Sequence, residues 1–168
     1  MSTGIGIRIA QALGIAGSAW LSGSISSLSI ISAPALLAPS SLASPTHATI
    51  QWKALYNTGK NTMPPVAVAA SAAYFYLAFT LHKASLELTK LYATAGVLTL
   101  GIVPYTILIM SGTNAAIGRK AVDGLALQKE TTTSGELKVL VGRWINMNLA
   151  RGLLPLAGTA FAAYAAFF

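Results

Sequence analysis

Four apolar runs, separated by shorter polar stretches, dominate this sequence. The first extends from Ile9 to Ala33 without a charged residue, which is enough chain to cross about 30 Å of hydrocarbon as a helix. Because backbone in contact with lipid must satisfy its hydrogen bonds within its own segment, such runs predict helices. We therefore expect an all-α fold, a four-transmembrane-helix bundle that forms a single integral membrane domain over residues 1–168. The expected spans are residues 9–33, 65–82, 88–111 and 141–167.

The composition supports a membrane protein and argues against several other classes. Only 9% of the residues are charged, whereas soluble domains carry about 25%. The net charge of +7 could suggest a nucleic-acid partner, but the basic residues are scattered singly between apolar runs and form no patch. We therefore expect a lipid bilayer and no nucleic acid as partner. The chain has no cysteine and only two histidines, His47 and His82, so we expect no metal site.

Prolines and polar residues mark the first expected connection. The three prolines between residues 34 and 45 predict the end of the first helix and the start of a loop. Residues 48–55 within this loop have the pattern of a short amphipathic helix. A turn is expected over residues 57–61, and the prolines at 64 and 65 predict the start of the second span.

The later connections are of unequal length. Residues 82–90 form a very short connection, so the second and third spans should be antiparallel neighbours. Pro104 lies inside the third span and predicts a kink there, with irregular backbone of the kind that is tolerated where it lines a cavity. Residues 118–138 are markedly polar and predict a loop with, at most, a short surface helix, and Ser134 is expected to begin the last helix.

One face of the last helix carries an arginine. Trp144, Asn148 and Arg151 follow one another at offsets of four and three residues, so they share one side of a helix. A guanidinium inside a membrane span costs about 3 kcal/mol or more unless it faces a polar interior or has a partner. Arg151 is therefore a candidate functional residue. It could instead extend to a lipid headgroup, or hold the helices together within a structural network.

Several short segments carry a family resemblance when they are taken in order, whereas common enzyme fingerprints such as HExxH or GxSxG are absent. The segments are the Gly/Ser-rich first helix, Gln51-Trp52, PYTILIMSGTN at residues 104–114 and RWINMNLARGLLP at residues 143–155. Together they resemble the DUF1772 family of small membrane proteins, which includes the fungal anthrone oxygenases. The resemblance covers almost the whole chain. It implies a four-helix membrane enzyme that oxidises an anthrone to an anthraquinone with O₂ and without a dedicated cofactor.

This chemistry assigns roles to the catalytic candidates. Loss of a proton from the CH₂ group of an anthrone leaves an electron-rich enolate that can reduce O₂ directly, so the protein must supply a base and stabilise the enolate oxygen. We expect Arg151 and Asn148 to stabilise that oxygen. The base is open between His47, His82 and Tyr105, and a phenolate of the substrate is a further alternative.

The remaining candidates would bind the substrate. Trp144, Tyr105 and Trp52 are expected to stack on its planar rings. Thr106 and Asn114 are expected to orient its phenol groups, with Gln51 beside them. Trp52 and Gln51 could instead anchor the chain at the membrane interface.

Other function classes stay open at this stage. The same pocket could serve another enolate-forming enzyme, such as a cyclase, isomerase or dehydratase, or the protein could be a non-enzymatic membrane scaffold. The expected partners are a planar aromatic small molecule, O₂ and the bilayer, and a homo-oligomer is an open alternative to a monomer. We expect a location in the endoplasmic reticulum or another internal membrane. The uncharged run after Arg8 also fits a signal peptide, but it continues well past the usual apolar core of one.

Overall fold

The computed structural model of the chain describes residues 2–39 and 44–167, and every regular element within these two ranges is a helix. In chain order the elements are α1 (Ser2–Ser27), a π-helical turn (Leu28–Ser32), α2 (Ala33–Ala35), α3 (Pro45–Leu81), α4 (Leu86–Leu100), α5 (Ile102–Tyr105), a second π-helical turn (Thr106–Met110), α6 (Ser111–Leu127) and α7 (Ser134–Phe167).

Within the described ranges, four helical segments are long and apolar enough to cross a membrane. They are Gly4–Ala35, Pro45–Leu81, Leu86–Leu127 and Ser134–Phe167. The expected all-α fold with four membrane-spanning helices is therefore confirmed, and the chain is a multi-pass membrane protein. Part of the loop expected after the first span, residues 40–43, lies outside the described residues.

Helix α3 corrects the expected connection between the first two spans. Residues 48–55 are helical as predicted, but they form the beginning of α3 and not a separate amphipathic helix. The turn predicted over residues 57–61 was wrong, as was a helix start at Pro64, because α3 runs through both regions. Asn and Gly cost only about 1 kcal/mol or less each in a helix, which is small beside the burial of residues such as Trp52 and Met63 on this helix.

The polar stretch at 118–138 is also more helical than expected. Helix α6 continues to Leu127, and Gln128 ends it in the left-handed conformation with φ of 49°. Residues 128–133 form the connection, and α7 begins at Ser134 as predicted. Thr46 and Glu130 tie this connection to the start of α3, since the Thr46 backbone N–H donates to Glu130 Oε2 at 3.0 Å.

The chain divides into two compact units. Unit 1 comprises Met1–Ser24, Thr62–Pro104 and Arg151–Phe168, and unit 2 comprises Ile25–Asn61 and Tyr105–Ala150.

In unit 1, α3 and α4 are antiparallel neighbours, as the short connection predicted. Ser71 Oγ donates to the Gly96 carbonyl at 3.0 Å, and Thr89 Oγ1 donates to the Ala78 carbonyl at 3.4 Å. The later residue of α3 thus pairs with the earlier residue of α4, as antiparallel helices require. Helix α7 approaches α4 so closely at Gly158 that an added Cβ would lie 2.7 Å from a hydroxyl and 2.9 Å from a backbone carbonyl of α4.

Buried polar side chains also hold unit 1 together. Ser18 Oγ lies 2.7 Å from the hydroxyl of Tyr74 and 2.7 Å from that of Thr159, so one serine joins three segments. Gln11 Nε2 donates to the Tyr92 hydroxyl at 2.8 Å. In hydrocarbon such groups need internal partners, and these hydrogen bonds supply them.

Candidate active site

Two indoles and a phenol form an aromatic stack within unit 2. Trp52 and Tyr56, one helical turn apart on α3, stack with ring centroids 5.1 Å apart and an interplanar angle of 8°. Trp144 on α7 meets Trp52 edge to face, with centroids 5.7 Å apart and an angle of 86°. Trp52 is only 1% exposed, so it is not an interface anchor. Its buried Nε1 has no hydrogen-bond partner among the residues that the structure describes.

Trp144 also makes a polar contact with α6. Its Nε1 donates to Asn114 Oδ1 at 3.1 Å, and both side chains are buried, with 3% and 8% exposure. An indole N–H can only donate, so the carbonyl end of the amide faces the indole and its NH₂ end points elsewhere.

A cleft of about 360 Å³ opens next to this pair. The described residues that line it are Tyr56, Thr106, Ile107, Ser111, Asn114 and Ala115. The volume lies in the range of about 300–1,000 Å³ that is typical of small-molecule sites. One wall is a phenol ring backed by Trp52, and the polar groups are hydroxyls and one amide. This combination suits a planar aromatic molecule that carries oxygen substituents.

Irregular backbone forms part of the cleft. The lining residues Thr106 and Ile107 belong to the second π-helical turn, and Ser111 follows it directly. Pro104 lies two residues before this turn and has no N–H to continue a regular helix. The sequence predicted irregular backbone at Pro104, and π-helical turns often occur at functional sites. Here the irregular backbone places Thr106 in the cleft.

Asn148 makes hydrogen bonds at the first π-helical turn, Leu28–Ser32, and in the helix just before it. It is fully buried, and its Nδ2 donates to the Ile25 carbonyl at 2.8 Å and to Ser29 Oγ at 2.7 Å. Two acceptors therefore occupy the amide hydrogens that we expected to reach the enolate.

Arg151 belongs to unit 1. Its side chain is half-buried, and Nη2 lies 3.9 Å from the sulfur of Met63 on α3. A half-buried guanidinium in a candidate membrane span agrees with the reasoning that singled it out, and its role at the enolate stays a prediction.

The candidate bases lie in different places. His47 is exposed and lines a separate cleft of unit 2, together with Lys129 and Glu130. His82 is exposed at the end of α3, where its Nδ1 lies 2.6 Å from the Phe79 carbonyl oxygen.

Two further candidates flank the site in sequence. Tyr105 is half-buried and packs against the apolar cluster of unit 2 that contains Trp52 and Trp144. Gln51 is exposed and is not among the described residues that line the cleft.

The structure therefore brings Thr106 and Asn114 together in one cleft, and it adds Tyr56 and Ser111, which the sequence reasoning missed. The signal for Tyr56 was its spacing of four residues from Trp52, which places the two rings on one helical face. It was overlooked because the helix was expected to end at Leu55.

Comparisons with known proteins point to one family. The family model described as anthrone oxygenase matches residues 52–161. An anthrone oxygenase of Aspergillus fumigatus is 34% identical over 92% of this chain and 90% of its own length. An anthrone oxygenase of Paecilomyces divaricatus is 32% identical over 89% of this chain and 90% of its own. A noranthrone monooxygenase of Aspergillus flavus is 30% identical over 83% of this chain and 65% of its own. No solved structure matches the chain.

The matched region contains all of the described residues that line the cleft, from Tyr56 to Ala115, as well as Trp144 and Arg151. The resemblance noted in the sequence is thereby confirmed. The chain belongs to the anthrone oxygenase family, and it is an anthrone oxygenase-like monooxygenase of the membrane.

Proposed function

We propose that the protein oxidises an anthrone-type aromatic polyketide to an anthraquinone with O₂, without a dedicated cofactor, and that the substrate binds in the cleft of unit 2. The observation that carries this proposal is the cleft itself, because Tyr56 and Asn114 both line it in a chain of this family. A tricyclic substrate has flat rings that can stack on Tyr56 and oxygen atoms that can hydrogen-bond to Asn114.

The reaction follows from the substrate's own chemistry. Loss of one proton from the CH₂ group gives the enolate, which passes one electron to O₂. The resulting carbon radical and superoxide combine in a new C–O bond and, after protonation, give a hydroperoxide. Loss of water then breaks the O–O bond and the remaining C–H bond and leaves a carbonyl. The sum is anthrone plus O₂ giving anthraquinone plus water, so one oxygen atom enters the product.

The lining residues divide this work between them. Tyr56, held flat by Trp52, provides a stacking surface for the rings. Asn114 and Thr106 orient the oxygen substituents, and Ile107 contributes an apolar surface that limits water. A fixed orientation keeps the CH₂ group accessible to O₂ and makes radical recombination selective for that carbon.

Removal of the substrate's proton and stabilisation of the enolate's negative charge are assigned to different groups. The described lining residues include no carboxylate and no imidazole, so we assign proton removal to solvent or to a phenolate of the substrate. The enolate oxygen then depends on hydrogen-bond donors more than on a strong base. The stabilisation of the enolate oxygen by Arg151 stays a prediction that does not depend on the cleft, and variants of Arg151 test it. Asn148 is assigned to helix association because its amide hydrogens already have acceptors.

The decisive experiment measures oxygen uptake by the purified protein in lipid nanodiscs with 1,8-dihydroxyanthrone. We expect consumption of one O₂ for each anthraquinone formed, well above the rate in protein-free nanodiscs, and no loss of rate after treatment with EDTA. With ¹⁸O₂, one labelled atom should appear in the new carbonyl. Turnover without O₂ uptake would indicate a different enolate enzyme, and a rate equal to the protein-free rate would reject the proposal.

The setting of the enzyme is also a proposal. We propose an internal membrane, such as that of the endoplasmic reticulum, because the substrate is an apolar intermediate that partitions into lipid. Fluorescence microscopy of the tagged chain beside organelle markers tests this location. Light scattering of the detergent-solubilised protein determines whether it forms a homo-oligomer.

A further inference from the structure

The hydrogen bond between Trp144 and Asn114 joins a buried indole to an amide that lines the cleft. Trp144 Nε1 donates to Asn114 Oδ1 at 3.1 Å. An amide has one acceptor end and one donor end, and the indole occupies the acceptor end. Asn114 lines the cleft, and its NH₂ end is the end that the indole leaves able to donate to a ligand.

The indole that sets this orientation is itself held in place. Trp144 is 3% exposed and is not among the described lining residues, so it acts from behind the cleft wall. Its ring is fixed edge to face against Trp52, which also stacks on Tyr56. Both the amide and the phenol of the wall are thus supported by buried indoles, and rotation of the amide would break a buried hydrogen bond. Such a loss costs about 1–3 kcal/mol, which keeps one orientation dominant.

We propose that this pair makes the cleft selective for an aromatic oxyanion. Asn114 is the residue that contacts the ligand and donates its N–H to an enolate or phenolate oxygen, and Trp144 is the positioning residue that keeps the donor turned outwards. This inference deepens the proposed function and rests on it for the identity of the natural ligand. It assigns Trp144 a role different from the expected one, since the indole orients the amide and does not stack on the substrate.

The chemical consequence is a shift in the acidity of the bound ligand. A hydrogen bond to the charged form of an acid favours that form and lowers its pKa. Donation from a neutral amide to a partly buried oxyanion should lower the pKa of the ligand by about one to two units. The same interaction favours the enolate of an anthrone, which is the species that reduces O₂.

The test uses 1,8-dihydroxyanthraquinone, which the proposed reaction cannot consume. The absorbance of its phenolate is titrated against pH with the wild-type protein in nanodiscs and in protein-free nanodiscs. We expect the bound probe to titrate about one to two pKa units below the probe in lipid alone. A pKa of the bound probe equal to or above its pKa in lipid alone overturns the proposal, and so does the absence of binding. Both measurements use the wild-type protein, so neither result requires a variant to fold.

Two variants and a control sharpen the result. Asn114→Asp keeps an acceptor for the Trp144 indole but replaces the donor with a negative charge, and it should raise the pKa of the bound probe above the lipid value. Trp144→Phe removes the indole N–H together with part of the ring and keeps an aromatic side chain, and it should return the pKa towards the lipid value while the probe still binds. Asn61→Asp, the same charge change at an exposed position of unit 2, should leave the pKa at its wild-type value.

The outcomes separate the two proposals. A wild-type pKa shift that persists in Trp144→Phe would show that this indole is only structural and would overturn the inference. The expected pKa pattern without oxygen uptake from an anthrone would leave the oxyanion site standing and reject the proposed reaction. Oxygen uptake with an unshifted probe would reject the site and retain the reaction.

Discussion

Replacement of Asn148 by alanine separates a structural amide from a catalytic one. Nδ2 donates to the Ile25 carbonyl at 2.8 Å and to Ser29 Oγ at 2.7 Å, and the residue is fully buried in unit 2. Hydrogen bonds between membrane helices contribute about 0.6 kcal/mol each on average and up to about 1.7 kcal/mol. Truncation also leaves two buried acceptors with one fewer donor and creates a small cavity.

We therefore expect Asn148→Ala to lower the free energy of unfolding by about 1–3 kcal/mol. The assay is equilibrium unfolding in mixed micelles with increasing SDS, followed by far-ultraviolet circular dichroism. Asn146→Ala is the matched control, because Asn146 lies two residues earlier on the same helix and is exposed, and it should change the stability by less than about 0.5 kcal/mol. A double-mutant cycle with Ser29→Ala should give a coupling of about 0.5–1.5 kcal/mol.

Turnover per folded molecule supplies the second measurement. If Asn148 acts only in helix packing, the folded fraction of Asn148→Ala should retain most of its activity. Stability equal to that of Asn146→Ala, combined with loss of turnover, would refute this reasoning and would support direct donation from Asn148 to the enolate.

The remaining predictions concern a cation, a carboxylate and a glycine. Arg151→Ala should fold but lose about 10²–10³-fold in kcat for anthrone oxidation, whereas Arg151→Lys should retain part of it, and normal turnover of Arg151→Ala would reject the role. Hydrogen bonds from the Thr46 side chain, and from further donors at the start of α3, lower the pKa of Glu130 in the folded protein. Their stabilisation is therefore present above the unfolded pKa of about 4.3 and is lost as the pH falls through the lower folded value. Glu130→Gln should flatten the stability of the detergent-solubilised protein across this acidic window, and an unchanged pH profile would contradict the assignment. Gly158→Ala should cost about 1–3 kcal/mol because its Cβ would meet oxygens of α4 at 2.7 and 2.9 Å. Gly142→Ala on the same helix meets nothing within 4 Å and should stabilise by about 0.5–1 kcal/mol, so equal effects of the two substitutions would argue against the close approach.

Part of the site could be predicted because it depends on local chemistry. Pro104 interrupts regular hydrogen bonding wherever its helix lies, so irregular backbone near Thr106 was predictable. Thr106 and Asn114 both line the cleft, and both were expected to face a substrate. Tyr56 was missed for an equally local reason, since Asn and Gly were given more weight as turn residues than the packing of α3 allowed.

The contacts of the buried amides could not be predicted from the sequence pattern. Asn148 and Asn114 are both amides within apolar surroundings, and the sequence treats them alike. In the structure the first donates to the start of a π-helical turn, and the second accepts from an indole and lines a cleft. Successive residues point about 100° apart around a helix. If the rotation of a helix is misjudged by one residue, a side chain expected to line a cavity will instead contact a neighbouring helix.

The sequence by itself determined that this chain is an all-α membrane protein, because long uncharged runs can satisfy their backbone hydrogen bonds in lipid only as helices. It also indicated the family, through short segments that lie largely within the residues 52–161 that the family model matches. Only the tertiary structure decided that Trp144, thirty residues from Asn114, donates to the carbonyl end of that amide. The direction of a side-chain dipole depends on a partner from another helix, and no local pattern specifies that partner.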